Sequence, residues 1–123
     1  MKLYKGDCLE VMKTIDSGSI DAIITDPPFG TTRCKWDSVI PFEPMWEQLN
    51  RIIKPNGAIV LFAQQPFSSA LLVSNIKKFR HRFLWEKDKC ANFMVAKAQP
   101  LKYTEDILVF CNYGFFKNQY NNL

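Results

Sequence analysis

The stretch DAIITDPPFG, residues 21–30, decides how this chain is read. Ala22 to Thr25 are too uniformly apolar for a half-exposed strand and are expected inside a parallel sheet covered on both faces. Asp26 then stands at the carboxyl end of that strand, the edge where open α/β sheets bind ligands. Pro27 and Pro28 fix the next torsions and offer carbonyl acceptors without N–H donors. Phe29 adds a flat apolar face, and Gly30 lets the chain turn away. Rigid acceptors beside an aromatic plate suit a planar ligand that carries an amino group, such as an exposed nucleobase. A strand end with a local aspartate cap, a proline turn and a packed phenylalanine explains the same residues. For an isolated Asp-Pro-Pro that plainer account wins.

The segments on either side give strand, helix, strand, helix, strand. KLYKGDCLEVMKTI reads as a short strand, a turn at Gly6 and a helix, with Asp7 and Glu10 at capping-box spacing and Leu9, Met12 and Ile15 inward. Met45, Trp46, Leu49, Ile52 and Ile53 recur at helical spacing, and Lys54-Pro55-Asn56-Gly57 closes that helix. Ala58 to Ala63 form a second strand buried on both sides. Pro66 opens a helix anchored by Phe67, Leu71, Leu72 and Ile76, with Lys77 and Lys78 at its C-terminal dipole. HRFLWEK and DILVFC supply two more strands, joined by a long connection from Lys87 to Glu105. No repeat or linker interrupts the series. One α/β domain over residues 1–123 is expected, its sheet mostly parallel with helices on both faces.

With 123 residues the chain is large enough for a real core. No apolar run approaches the roughly 20 residues that cross a bilayer, so a membrane span is excluded. The N-terminus lacks a signal peptide's apolar core and cleavage site. Cys8, Cys34, Cys90 and Cys111 have no metal-type or redox-type spacing, so they are read as reduced cytoplasmic thiols, packed as small buried hydrophobes, and no metal site is expected. The net charge of +4 is uneven: residues 1–50 carry −3 and residues 51–123 carry +7. Lys77, Lys78, Arg80, Arg82, Lys87 and Lys89 make one basic segment, suited to phosphate contacts or, more simply, to a solvated surface.

The motif DPPFG at Asp26 to Gly30, preceded by GDCLEVM and followed by TTRCKWD, IIKPNGAIVLF, WEK and YTEDILVF, resembles the amino-methylating DNA methyltransferases. Nearly the whole chain takes part. The resemblance implies a Rossmann-like fold and methyl transfer from S-adenosylmethionine to the exocyclic amino group of a base flipped from double-stranded DNA, in a restriction-modification setting. Asp26, Pro27, Pro28 and Phe29 match the catalytic motif; Asp at the first place and an aromatic at the fourth point to adenine. A cytosine amino group or an RNA base is the alternative acceptor, and a non-catalytic binding or assembly module is the alternative role. Asp7 matches a position near the adenosyl group and is equally a helix N-cap. Lys35, Trp36 and Asp37 follow the motif on a loop that could cover the base, although Trp36 also suits a core. Lys87, Lys89, Lys97 and Lys102 are expected at backbone phosphates.

The family also needs a glycine-rich turn for the methionyl end of the cofactor. Gly6, Gly18, Gly30, Gly57 and Gly114 never form Gly-x-Gly. In the permuted subgroup this chain resembles, the cofactor motif follows the catalytic one, so the sequence is expected to stop before it. The opening strand and the Asp26 strand would then have unpaired edges. A cut or remnant of a longer enzyme, a complementing chain or a homo-oligomer is the expected consequence.

Overall fold

Asp7 begins the first helix, α1 (Cys8–Met12), by accepting the Leu9 N–H at 2.8 Å and the Glu10 N–H at 3.4 Å. Glu10 reaches Lys13 at 2.7 Å rather than back to the cap. The computed structural model describes residues 1–91, 97–98 and 102–112, without the side chains of residues 90, 91 and 102. After α1 come β1 (Ile20–Thr25), α2 (Phe42–Ile52), β2 (Ile53–Ala63), α3 (Phe67–Ser74), β3 (Phe79–Ala91) and β4 (Lys102–Cys111). Met1 to Lys5, expected as a strand, are exposed and not assigned to one.

The strands form one sheet in the order β1-β2-β4-β3. β1 and β2 are parallel, with Ile23 opposite Ile59 and Thr25 opposite Leu61. β2 and β4 are antiparallel, as are β3 and β4. The α/β class holds, but the described sheet is not mostly parallel. A helical crossover through α2 can return β2 parallel to β1, whereas the connection over residues 92–101 is short and favours antiparallel pairing.

Period-two burial places the core. Ile59, Leu61 and Ala63 of β2 face Leu108 and Phe110 of β4, under Met45, Trp46 and Leu49 of α2 and Phe67 and Leu71 of α3. Leu9 and Met12 of α1 pack on the same cluster. The described helices thus share one face of the sheet, in place of the expected two. The opposite face carries Ile24, Val60, Phe62, Phe83 and Trp85, half-buried or exposed. β1 is likewise not interior: it lies at the end of the strand order, and Ile24 is 69% exposed.

Three further details differ from expectation. The KPNG stretch continues as strand once α2 ends, because Gly57 lets β1 and β2 approach: a Cβ there would lie 2.7 Å from the Asp21 carbonyl oxygen. α3 stops at Ser74, leaving Ile76 exposed and Lys77 and Lys78 past its end. Cys8 and Cys34 are exposed rather than buried, Cys8 because no residue of the five-residue α1 is buried. The Cys90 side chain lies outside the described residues.

Arg51 of α2 fastens α1 to the rest. Its guanidinium donates to the Met12 carbonyl at 2.7 Å, the Ile15 carbonyl at 2.9 Å and Ser17 Oγ at 2.9 Å, partnering carbonyls that a helix end leaves open.

Candidate active site

β1 delivers Asp26 to the sheet rim, and the next three residues are graded in burial: Pro27 is buried, Pro28 and Phe29 are half-buried, and Asp26 is exposed. Phe29 stacks on Phe67, the first residue of α3, with centroids 5.2 Å apart and planes 29° apart. One ring face is therefore held by the core. The ring also lines a cavity of about 410 Å³, together with Asp26, Pro27, Pro28, Thr31, Thr32, Trp36 and Asp37. That volume is within the usual range for a small-ligand site.

The loop that closes this cavity is tied by Asp37. Its carboxylate accepts the Gly30 N–H at 2.9 Å and the Thr32 N–H at 2.7 Å. Hydrogen bonding from Thr32 first, then from Gly30, holds the Asp37 carboxyl below the ordinary carboxylate value. Gly30 has φ +70°, and a Cβ there would come within 3.0 Å of Val39, so the turn requires glycine. Trp36 is 73% exposed and belongs to the cavity wall rather than the core.

A second hollow of about 390 Å³ lies behind the turn, walled by Cys8, Met12, Ile23, Ile40, Met45, Leu49 and Leu61. Asp26, Pro27 and Pro28 line it too. The acceptor turn therefore lines both hollows, one with aromatic and polar groups around it and the other mainly apolar.

Across the rim stands a charged group that the sequence did not single out. Thr25 faces Leu61, Ala63 faces Asp106, and Glu105 faces Trp85, so the end of β1, the end of β2, the start of β4 and the later part of β3 meet there. Glu105 accepts from Gln64 Nε2 at 3.0 Å and is ion-paired with Lys87. Partial burial raises the Asp26 carboxyl above its ordinary value, Glu105 adds to that rise, and Lys87 opposes it. Only the acidic pair opening the YTEDILVF strand hinted at this in the sequence.

Lys87 is thus engaged with Glu105 rather than presented to solvent as a phosphate contact. Much of the basic segment is similarly occupied: Lys78 donates to Asn50 at 2.8 Å, Arg80 to the Lys77 and Phe79 carbonyls at 2.9 Å, and Arg82 to the buried Asp106 at 2.7 Å. Lys35, Lys89 and Lys97 are exposed, with Lys35 on the loop beside Trp36. The Lys102 side chain lies outside the described residues. Asp7 serves as the α1 cap. Among the described residues, no group of three or more His, Cys, Asp or Glu side chains could hold a metal ion.

No family model matches the chain. Over 71 residues, 50% of this chain and 17% of the relative, it is 30% identical to the type II methyltransferase M.BamHI of Bacillus amyloliquefaciens. The chain is a homologue of the type II DNA methyltransferases. Its fold is part of the methyltransferase fold. The PvuII DNA methyltransferase, described as cytosine-N4-specific, superposes with a TM-score of 0.67 at 17% identity, over 89% of this chain and 48% of that one. M1.HpyAVI in complex with SAM superposes with a TM-score of 0.60 at 21% identity, over 86% and 52%. The chain therefore spans about half the length of these solved relatives.

S-adenosylmethionine carries an amino and a carboxylate group on its methionyl end, besides a flat adenine. The apolar hollow provides walls, but no side chain that lines it is cationic, and Asp7 already accepts two backbone N–H groups. The described residues offer apolar walls for part of such a cofactor and no cationic side chain for its carboxylate.

Proposed function

We propose that this chain is the base-holding part of a DNA methyltransferase that modifies an exocyclic amino group, with adenine in flipped double-stranded DNA as its substrate. The observation that carries this reading is that Asp26, Pro27 and Pro28 line both of two ligand-sized hollows. A planar amine in the Phe29 cavity has the Asp26 carboxylate as acceptor for one N–H and the carbonyl-rich turn for the other. Held at both hydrogens, the nitrogen keeps its lone pair free for an electrophile that reaches it past the edge of the turn. Positioning of this kind contributes up to about 7–11 kcal/mol to catalysis.

S-adenosylmethionine, held with groups beyond the described residues, supplies a methyl group on a sulfonium centre. Asp26 acts as acceptor in its ionised form. The free side of Phe29 and the exposed Trp36 indole stack on the base and offset the few kcal/mol of unstacking it from the duplex. Lys35, Lys89 and Lys97, exposed in the structure, are assigned to backbone phosphates, and Lys102 is assigned to them from the sequence alone. The edge strand β1 suits completion by a further chain or a second copy. We place this activity in the cytoplasm, in restriction-modification; no described helix is long and apolar enough to cross a membrane.

A cytosine amino group is the second acceptor reading, favoured by the likeness to the PvuII enzyme. Both are tested by titrating the chain with 9-methyladenine and 1-methylcytosine while following the Gly30 and Thr32 amides and the Trp36 indole by NMR. Adenine binding that Asp26→Ala abolishes is the expected result. Preference for the cytosine analogue supports the second reading, and no response to either at millimolar concentration overturns both.

A further inference from the structure

Trp36 lines the Phe29 cavity with a side chain that is 73% exposed, so little packing holds the indole there. Its position comes from the backbone. Lys35 and Trp36 form the corner of a turn, which the Asp37 N–H closes by donating to the Cys34 carbonyl at 3.0 Å. The Asp37 side chain then reaches across the loop: Oδ1 accepts the Gly30 N–H at 2.9 Å and Oδ2 accepts the Thr32 N–H at 2.7 Å. The Thr32 hydroxyl in turn accepts the Cys34 N–H at 3.3 Å, which links the two arms of the loop once more. Through its amide and its carboxylate together, Asp37 joins the corner that carries Trp36 to the glycine that follows Phe29. Both carboxylate oxygens are committed to the backbone, so this side chain acts on the cavity through the loop rather than by gripping a ligand amine.

We propose that Asp37 is a positioning residue for the base site, whose clasp sets the Trp36 indole at the Phe29 cavity before any base arrives. This rests on the reading of that cavity as the base site and deepens it. Phe29 takes its place from Phe67 in the core; Trp36 takes its place from Asp37 on the loop. The ends of the loop lie against each other, since a Cβ at Gly30 would come within 3.0 Å of Val39 and 3.9 Å of the Asp37 carbonyl oxygen. A side chain ordered in advance binds without the entropy loss of being immobilised, so the clasp is expressed as affinity for the base.

A double-mutant cycle in the full chain tests this, with 9-methyladenine as the probe and NMR as the readout. Asp37 lies outside the core cluster, and unchanged resonances of the buried Leu71 and Phe110 show that each variant is folded. Asp37→Asn keeps the size of the side chain and has one acceptor oxygen in place of two. It is expected to lower the heteronuclear NOE of the Trp36 indole N–H in the free chain. It is also expected to weaken base binding about two- to ten-fold, the range for immobilising one side chain. In a Trp36→Ala background the same change is expected to leave binding as it is. An equal loss in both backgrounds overturns the proposal, because Asp37 then acts without the indole; an indole NOE that Asp37→Asn leaves unchanged overturns it too. A lowered NOE in a chain that binds neither base analogue supports the clasp and removes the reading of the cavity as a base site.

Discussion

The ring of Phe29 stacks on the ring of Phe67 at 5.2 Å, so the aromatic wall of the cavity takes its position from the first residue of α3. Removing that support is expected to loosen the site from behind. Phe67→Ala should cost about 3–5 kcal/mol in urea unfolding, as for other large-to-small changes of buried aromatics. Phe67→Leu, which keeps most of the volume, should cost less and still weaken 9-methyladenine binding, because a planar partner for Phe29 is gone.

Asp37 gives a pH prediction. Its folded value lies below the ordinary one, so its contribution is present above the ordinary aspartate range and is lost as pH falls through the folded value. The Gly30 and Thr32 amide resonances should shift together with that transition in NMR. In Asp37→Asn they should show no such transition and should exchange faster with solvent.

Gly57 marks the closest approach of β1 and β2. Gly57→Ala places a methyl group 2.7 Å from the Asp21 carbonyl oxygen, and a cost of about 1–3 kcal/mol is expected from overpacking. Hydrogen exchange should locate the damage in Ile23 to Thr25, at the base of the Asp26 turn, with α3 and β4 largely unaffected.

Arg51 should be the most sensitive surface-side position. Arg51→Ala leaves the Met12 and Ile15 carbonyls without their charged donor, and a loss of about 1.5–3 kcal/mol in denaturant unfolding is expected. Arg51→Lys keeps the charge without the planar fork and should fall between the two.

Local pattern carried much of the fold into view. The helices of residues 42–52 and 67–74, the strands in AIVLFA, HRFLWEK and DILVFC, and the Asp26 turn at a sheet rim could all be read from spacing and composition, because period and turn chemistry are properties of neighbours in sequence. The errors concern partners. DAIIT has the composition of a strand covered on both faces, yet Ile24 is 69% exposed, since cover comes from segments far apart in the chain; its place at the end of the described strand order matches the unpaired edge expected of the Asp26 strand. Lys87 looked like one more member of a basic run; its pairing with Glu105 is a contact between β3 and β4 that charge counting along the chain could not show. Asp37 was visible as a loop residue, but its two backbone bonds depend on how that loop curls.

A wall that serves two chambers also makes them thermodynamic neighbours. Whatever occupancy of the aromatic chamber does to the set of Asp26-Pro27-Pro28, and so to affinity in the apolar one, occupancy of the apolar chamber must return by the same factor. A ligand that shifts the turn from one hollow would be felt in the other, through three residues of backbone that prolines leave little freedom to absorb the change.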